Sequence, residues 1–172
     1  MIYIIKLRNI SDKAAIITVV VKVTTAVSVL LLSWNWGIVC VSGDSMYPTY
    51  RDKDIILIDK TLSKIDYGVF IIKSTELGKT IIKRVIGLPG DKLSFVNGKL
   101  FRNSVEINEH YVELQDYCSS EYEVPSGTVF VAGDNRLDSM DSRFMENAYI
   151  PIECVVGKHV FNFSKFIREV FT

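Results

Sequence analysis

A chain of 172 residues has room for one domain with a substantial core and a short N-terminal element besides. Twenty basic and twenty acidic side chains cancel, so its charge gives no ground for nucleic acid as a partner. Three cysteines, Cys40, Cys118 and Cys154, fit neither a zinc pattern nor a dense disulfide framework, and the sequence points to no metal and no cofactor.

Met1 to Lys13 carries Lys6, Arg8 and Lys13 against Asp12 and reads as a short cytoplasmic N-terminus (residues 1–13). Residues 14–33 follow as a candidate membrane-spanning helix, close to the roughly 20 apolar residues that a bilayer requires. Lys22 opposes this, at about 2.5 to 3.5 kcal/mol for a mid-membrane lysine. The many Ile, Val and Leu around it, each favourable by about 0.3 to 0.6 kcal/mol, offset that, and the lysine can snorkel. Trp34 and Trp36 stand where an interfacial anchor belongs. No small-x-small cleavage site closes the run, so it reads as an uncleaved signal anchor with its N-terminus inside and residues 34–172 outside the cytoplasm.

Beyond the anchor the pattern turns to short, period-two runs. Strands are expected at Ile38–Val41, Asp54–Ile58, Val69–Ile72, Thr80–Ile86, Lys92–Val96, Lys99–Phe101, Val124–Val131 and Val155–Phe163. Asn97-Gly98 is a strong hairpin signal. The fold class is mainly β, a coiled sheet or barrel-like domain behind one N-terminal transmembrane helix. Residues 102–123, acidic and irregular, read as a surface insertion without chemistry. In the tail, Phe163, Phe166, Ile167, Val170 and Phe171 recur at helical spacing; the first reading packs that face on the domain, the alternative lays it on a membrane.

Ser45, in the Ser-Gly-Asp-Ser-Met-Tyr-Pro-Thr-Tyr stretch from Ser42 to Tyr50, is a candidate nucleophile and needs a base. His110 and His159 lack a turn context that suits catalysis. Lys83, flanked by Ile81, Ile82, Val85 and Ile86, is the other candidate: desolvation among branched side chains lowers a lysine pKa by the ~2 to 3 units that base catalysis near neutral pH needs. As a strand lysine facing water it would instead be an ordinary surface residue.

Three ordered segments, Ser42 to Tyr50, Lys83 to Asp91 and Gly133 to Arg143, together resemble the type I signal peptidases, membrane-anchored serine proteases with a Ser/Lys dyad. The resemblance runs from about Ile38 to Lys158. It implies Ser45 as nucleophile, Lys83 as general base and Ser139 as the hydroxyl that orients the lysine amine. Arg84, Asp134, Asp141 and Arg143 match charged positions that brace the site. Gly43 and Ser45 fall in the oxyanion region, and Val41, Tyr50, Ile56 and Ile82 along the substrate path, where plain core is the competing role. The implied partners are preprotein signal peptides with small residues at the first and third positions before the cut, together with membrane lipid. The implied location is the cell membrane.

The chain departs from that family's pattern in places. Gly43 stands where many members have a serine that supplies the second oxyanion donor, although other branches also carry glycine. Tyr50 replaces a usual Leu or Phe, Asp66-Tyr67-Gly68 departs from Gly-Asp, and the stretch after Arg143 lacks a common glycine. Conjugative-transfer and organelle inner-membrane peptidases with the same dyad are the alternative reading, and a non-catalytic peptide-binding β domain is a more distant one. Outside the cytoplasm Cys118 and Cys154 are a candidate pair, with free thiols the alternative.

Overall fold

A computed structural model of the chain describes residues 10–113 and 119–171, with the backbone alone for residues 10–13, 27 and 29–33. The basic N-terminal residues Lys6 and Arg8, and Cys118 with its candidate pairing, lie outside the described residues. The chain divides into two compact units, residues 1–35 and 36–172. The first holds α1 (Ile10–Asn35), a single helix of 26 residues. Its threonines are satisfied internally: Thr18 donates to the Ala14 carbonyl and Thr25 to that of Val21, each at 2.9 Å. Among the described residues, no helix is long and apolar enough to cross a membrane.

The second unit is mainly β. Its strands are β1 (Trp36–Cys40), β2 (Ile55–Asp59), β3 (Gly68–Ser74), β4 (Lys79–Gly87), β5 (Lys92–Val96), β6 (Lys99–Arg102), β7 (Val105–Glu106), β8 (Ser120–Glu123), β9 (Thr128–Ala132), β10 (Ile150–Pro151) and β11 (Val155–Asn162). A 3-10 turn (Ile152–Cys154) precedes β11, and α2 (Phe163–Phe171) closes the chain. Seven strands form one sheet in the order β1-β2-β11-β3-β4-β9-β10, and four form another in the order β7-β6-β5-β8. Branched and aromatic residues from the two sheets fill contiguous cores, one around Val41, Met46 and Ile56, one around Phe70, Ile72 and Val131, and one around Ile86, Leu93 and Phe130.

Most expected strands form within a residue or two of their expected ends. The β5–β6 hairpin turns at Asn97 and Gly98, whose φ values of 51° and 79° are the left-handed pair that a two-residue turn requires. The expected strand Val124–Val131 is broken. Pro125 cannot donate to a ladder and Gly127 turns at φ 77°, so residues 124–127 form no strand and only the second half of the run does, as β9, while β8 ends before Val124. Segment 102–123, expected as a passive surface insertion, instead supplies strands to the second sheet and buries Glu109.

Helix α2 is capped by Asn162, whose Oδ1 accepts the Lys165 N–H at 2.8 Å. It docks through polar contacts. The buried Asp54 accepts bonds from Arg168, from Asn162 Nδ2 at 2.8 Å and from the Arg51 N–H at 3.1 Å, while Ser164 Oγ accepts the Ile55 N–H at 2.9 Å. Burial pushes the Asp54 carboxyl up, but the Arg168 and Asn162 bonds prevail and hold its pKa at about 2. A carboxyl depressed from ~3.9 stabilises the fold fully above that value and loses the contribution as pH falls through about 2. Asp54→Asn should therefore unfold at lower denaturant than the parent above pH 4, with the gap closing toward pH 2. A constant gap across that range would show that Asp54 acts without its charge.

Candidate active site

Three segments meet around Ser45. The first is the tight turn between β1 and β2, closed by bonds from the Tyr47 N–H to the Asp44 carbonyl and from the Tyr50 N–H to the Met46 carbonyl, both 2.9 Å. Met46 and Tyr50 face the core, and Ser45 lies half-buried at the rim; the turn contains a cis Tyr47-Pro48 peptide. The second is β4, where alternation turns Lys83 into the interior at 3% exposure. Its Nζ donates to Ser45 Oγ at 2.6 Å. The third is the loop after β9, residues 133–143.

Burial drives the Lys83 pKa down to about 8. Asp141 pulls in the other direction, and Arg143 offsets Asp141. At that value a useful fraction of the amine is neutral near physiological pH, the state a base requires.

The third segment grips the first by its backbone. The Asn135 N–H donates to the Ser45 carbonyl at 3.1 Å, and Asn135 Nδ2 to the Asp44 carbonyl at 3.2 Å. Gly133 makes this approach possible: a Cβ there would sit 2.3 Å from the Ser45 carbonyl oxygen and 2.2 Å from Ser139 Oγ. Asp134 joins all three segments. It accepts a fork of two 2.7 Å bonds from Arg84, next to Lys83, and a 2.5 Å bond from Thr49 Oγ1 in the nucleophile turn.

Asp141, fully buried, accepts bonds from the Gly133 N–H at 2.7 Å, Ser139 Oγ at 2.6 Å and both Nε and Nη2 of Arg143 at 2.9 Å. Burial raises the pKa of its carboxyl, and the Arg143 guanidinium overrides this to leave it below the usual range. Ser139 therefore differs from expectation: its hydroxyl donates to Asp141, and no bond from it to Lys83 forms among the described residues.

Gly43 sits at φ 84° in open space, and its N–H donates to Asp52 Oδ1 at 2.9 Å. A cleft of about 380 Å³ runs past Ser45 and Lys83. Ile82 lines it as expected, together with Val39, Cys40, Ile71, Leu77 and Met140. Val41, Tyr50 and Ile56 do not; each is buried in the apolar core behind the turn, Ile56 by alternation along β2 and Val41 and Tyr50 by the course of the turn. Neither histidine bonds to Ser45 among the described residues. His159 packs edge-on to the Tyr50 ring at 5.1 Å, and His110 against Tyr111 at 5.5 Å.

Sequence reasoning missed four contributors. Thr49 and Asn135 lie inside quoted motifs without any signal of their function. Arg136 and Glu109 form a buried ion pair, in which Arg136 Nε also donates to the Gly133 carbonyl at 3.0 Å. Glu109 was masked by its acidic surroundings.

A half-buried serine hydroxyl in contact with a buried amine, braced by interlocked carboxylates, is an arrangement suited to serine peptidase chemistry. The family model described as "Signal peptidase, peptidase S26" matches residues 13–164. Signal peptidase I S of Bacillus subtilis is 32% identical over 155 residues, covering 80% of this chain and 84% of that protein. Signal peptidase I of Bacillus caldolyticus is 32% identical over 152 residues, 76% of this chain and 81% of that one. Signal peptidase I U of B. subtilis reaches 39% over 118 residues; that match takes in 60% of this chain and 63% of the relative's length. A crystal structure of a signal peptidase I from Enterococcus faecalis aligns with a TM-score of 0.50 and 27% identity, covering 57% of this chain and 98% of that one. The chain belongs to the signal peptidase family, peptidase S26, and its catalytic class is that of a serine endopeptidase.

A lysine whose folded pKa lies below its unfolded ~10.4 destabilises the fold at every pH where both states are protonated. The penalty is full below about 8 and vanishes above ~10.4. Lys83→Met, similar in length and apolar, should thus stabilise the protein by about 1–3 kcal/mol at pH 6. Denaturant titration should show that gain shrinking as pH rises past 8; a gain independent of pH would contradict the desolvated amine.

Proposed function

We propose that this chain cleaves signal peptides from translocated preproteins through a Ser45–Lys83 dyad while anchored in the cell membrane by α1. The observation that carries the reading is the 2.6 Å contact between Lys83 Nζ and Ser45 Oγ, with the amine buried and its pKa near 8. Neutral Lys83 takes the Ser45 proton as Oγ attacks the scissile carbonyl. The Ser45 backbone N–H supports the oxyanion. Collapse of the tetrahedral intermediate passes the proton from Lys83 to the leaving amine and leaves an ester on Ser45. Lys83 then removes a proton from water, which hydrolyses the ester and restores the hydroxyl.

Ser139 acts on this dyad through Asp141, whose charge bears on the amine, while Arg84 and Asp134 fix the strand and the turn. Gly43 brings no hydroxyl, and its N–H is engaged with Asp52, so the second oxyanion donor comes from elsewhere.

Two unpaired edges support an extended substrate. The edge of β1 beyond its pairing with β2 is open, and β4 pairs with β9 only from Arg84 onward. Both line the cleft, so a peptide strand can add between them, as in β-augmentation. Ile82, Val39 and Ile71 would then bound pockets for the small residues at the first and third positions before the cut.

The anchor reading rests on the length and composition of residues 14–33 in the sequence, while the described part of α1 does not by itself reach the apolarity of a membrane span.

Incubation of the detergent-solubilised chain with a preprotein, followed by N-terminal sequencing of the product, tests the chemistry. Ser45→Ala and Lys83→Ala should each lower cleavage by about 10³-fold or more with the fold retained. The parent's rate should climb with pH through about 8, as the amine loses its proton. Full activity in either variant would exclude the dyad. For topology, a reporter fused after Thr172 should be active only outside the cytoplasm, and cytoplasmic activity would reverse the orientation.

A further inference from the structure

The cleft beside the dyad carries charges that the chemistry leaves idle. Lys79, Asp44 and Asp138 all line it and are exposed, and none of their side chains bonds to another described residue. Lys79 is the most firmly placed of the three. It opens β4 directly after a tight turn, which the Gly78 N–H closes by donating to the Thr75 carbonyl at 3.3 Å, and it pairs in register with Ser74. The acid nearest to it in sequence is already committed: the two carboxylate oxygens of Glu76 accept the Glu146 N–H at 2.9 Å and the Asn147 N–H at 3.2 Å. Lys79 is thus a point charge on a flexible stem, with its backbone fixed and its ammonium open to a ligand.

The strand edge decides which part of a ligand that ammonium meets. One side of β4 pairs with β3 from Lys79 to Val85, whereas the other pairs with β9 only from Arg84. The second edge is therefore open from Lys79 to Lys83 and closed beyond. With Ile82 bounding the pocket for the first residue before the cut, the residues upstream of it run along the open stretch, abreast of Ile81, Thr80 and Lys79. Lateral neighbours in a ladder share a face. The first and third side chains accordingly face as Ile82 and Thr80 do, and the second and fourth as Ile81 and Lys79 do. The fourth residue lies abreast of Lys79, about 10 Å along the strand from the first. The charge of Lys79 reaches the dyad as well, since it opposes protonation of Lys83, four residues along the same face.

We infer that Lys79 is a specificity-determining residue, which favours substrates with an acidic side chain at the fourth position before the cut. The inference rests on the peptidase reading and deepens it by naming a feature of the substrate beyond the two small residues. Asp44 and Asp138 supply the opposing element. They line the cleft together with Ser45, so an acid carried close to the cut meets like charge, and the cleft selects the position of the acid as well as its sign.

The test measures kcat/KM of the detergent-solubilised full chain on internally quenched peptides. Each carries Ala at the first and third positions before the cut, and Glu, Gln or Lys at the fourth. Glu should exceed Gln by about 2- to 5-fold, the range of an exposed ion pair, and Lys should fall below Gln. Added sodium chloride should narrow the spread. Lys79→Glu should reverse the order and Lys79→Met should collapse it; ratios taken within one variant cancel any change that the substitution makes in the Lys83 amine. Glu moved to the fifth position, on the opposite face, should lose its advantage. Equal rates with Glu and Lys in the parent would overturn the inference, and so would a preference for Glu that survives Lys79→Glu. The two readings fail separately. Cleavage of the Gln peptide that needs Ser45 but shows no charge ranking defeats only this inference. A parent that leaves the Gln peptide whole, or a Ser45→Ala variant that cuts it equally well, defeats the peptidase reading and this one with it.

Discussion

Keeping a lysine amine out of water beside a hydroxyl is the condition that the rest of the domain serves. Desolvation alone would lower the Lys83 pKa, but a bare buried carboxylate nearby would raise it again and restore the charge. Asp141 is such a carboxylate, and Arg143 answers it with two side-chain bonds of 2.9 Å. The pair is close to neutral as a unit, so the field at Lys83 stays weak and burial prevails. The carboxylate thereby remains charged and able to organise Gly133 and Ser139 without reprotonating the amine.

Position matters as much as protonation, because an error of about 1 Å between reacting groups costs on the order of 10²-fold. Thr49 and Arg84 converge on the two oxygens of Asp134, which ties the turn bearing Ser45 to the strand bearing Lys83. Arg84 is fixed from its other side by the Tyr111 ring, 3.8 Å from the guanidinium carbon. Arg136 and Glu109 then secure the backbone of the same loop from behind. Asp134, Arg84 and Arg136 are thus each held by a partner from a different segment, whereas Asp141 and Arg143 pair within the loop itself.

Much of this was legible in the sequence. Period-two runs, Asn97-Gly98 and the Ser45, Lys83 and Gly133 segments give the strands, the hairpin and the residues that meet, since those signals are local. What stayed hidden depends on where side chains point after folding. Val41, Tyr50 and Ile56 are apolar strand or turn residues near the motifs, and only the pleat and the turn decide that they face the core rather than the cleft. Glu109 is one acid among several in an irregular stretch, and only tertiary packing sets it against Arg136. The docking of α2 by its polar side, with Phe166, Ile167, Val170 and Phe171 exposed, is equally invisible to periodicity, which locates a stripe but not the direction it faces.

The contact through Gly133 also bears on how such a protease is made. Ser45 lies early in the chain, Lys83 near its middle, and the loop that grips the Ser45 carbonyl follows residue 132. On the proposed dyad, an emerging polypeptide carries Ser45 for most of its synthesis without the contacts that would arm it. On that reading, cutting ability waits for the loop to close on the turn. The order of the segments along the chain thus delays self-directed or premature proteolysis until the domain is nearly whole, with no separate inhibitory segment required for that interval.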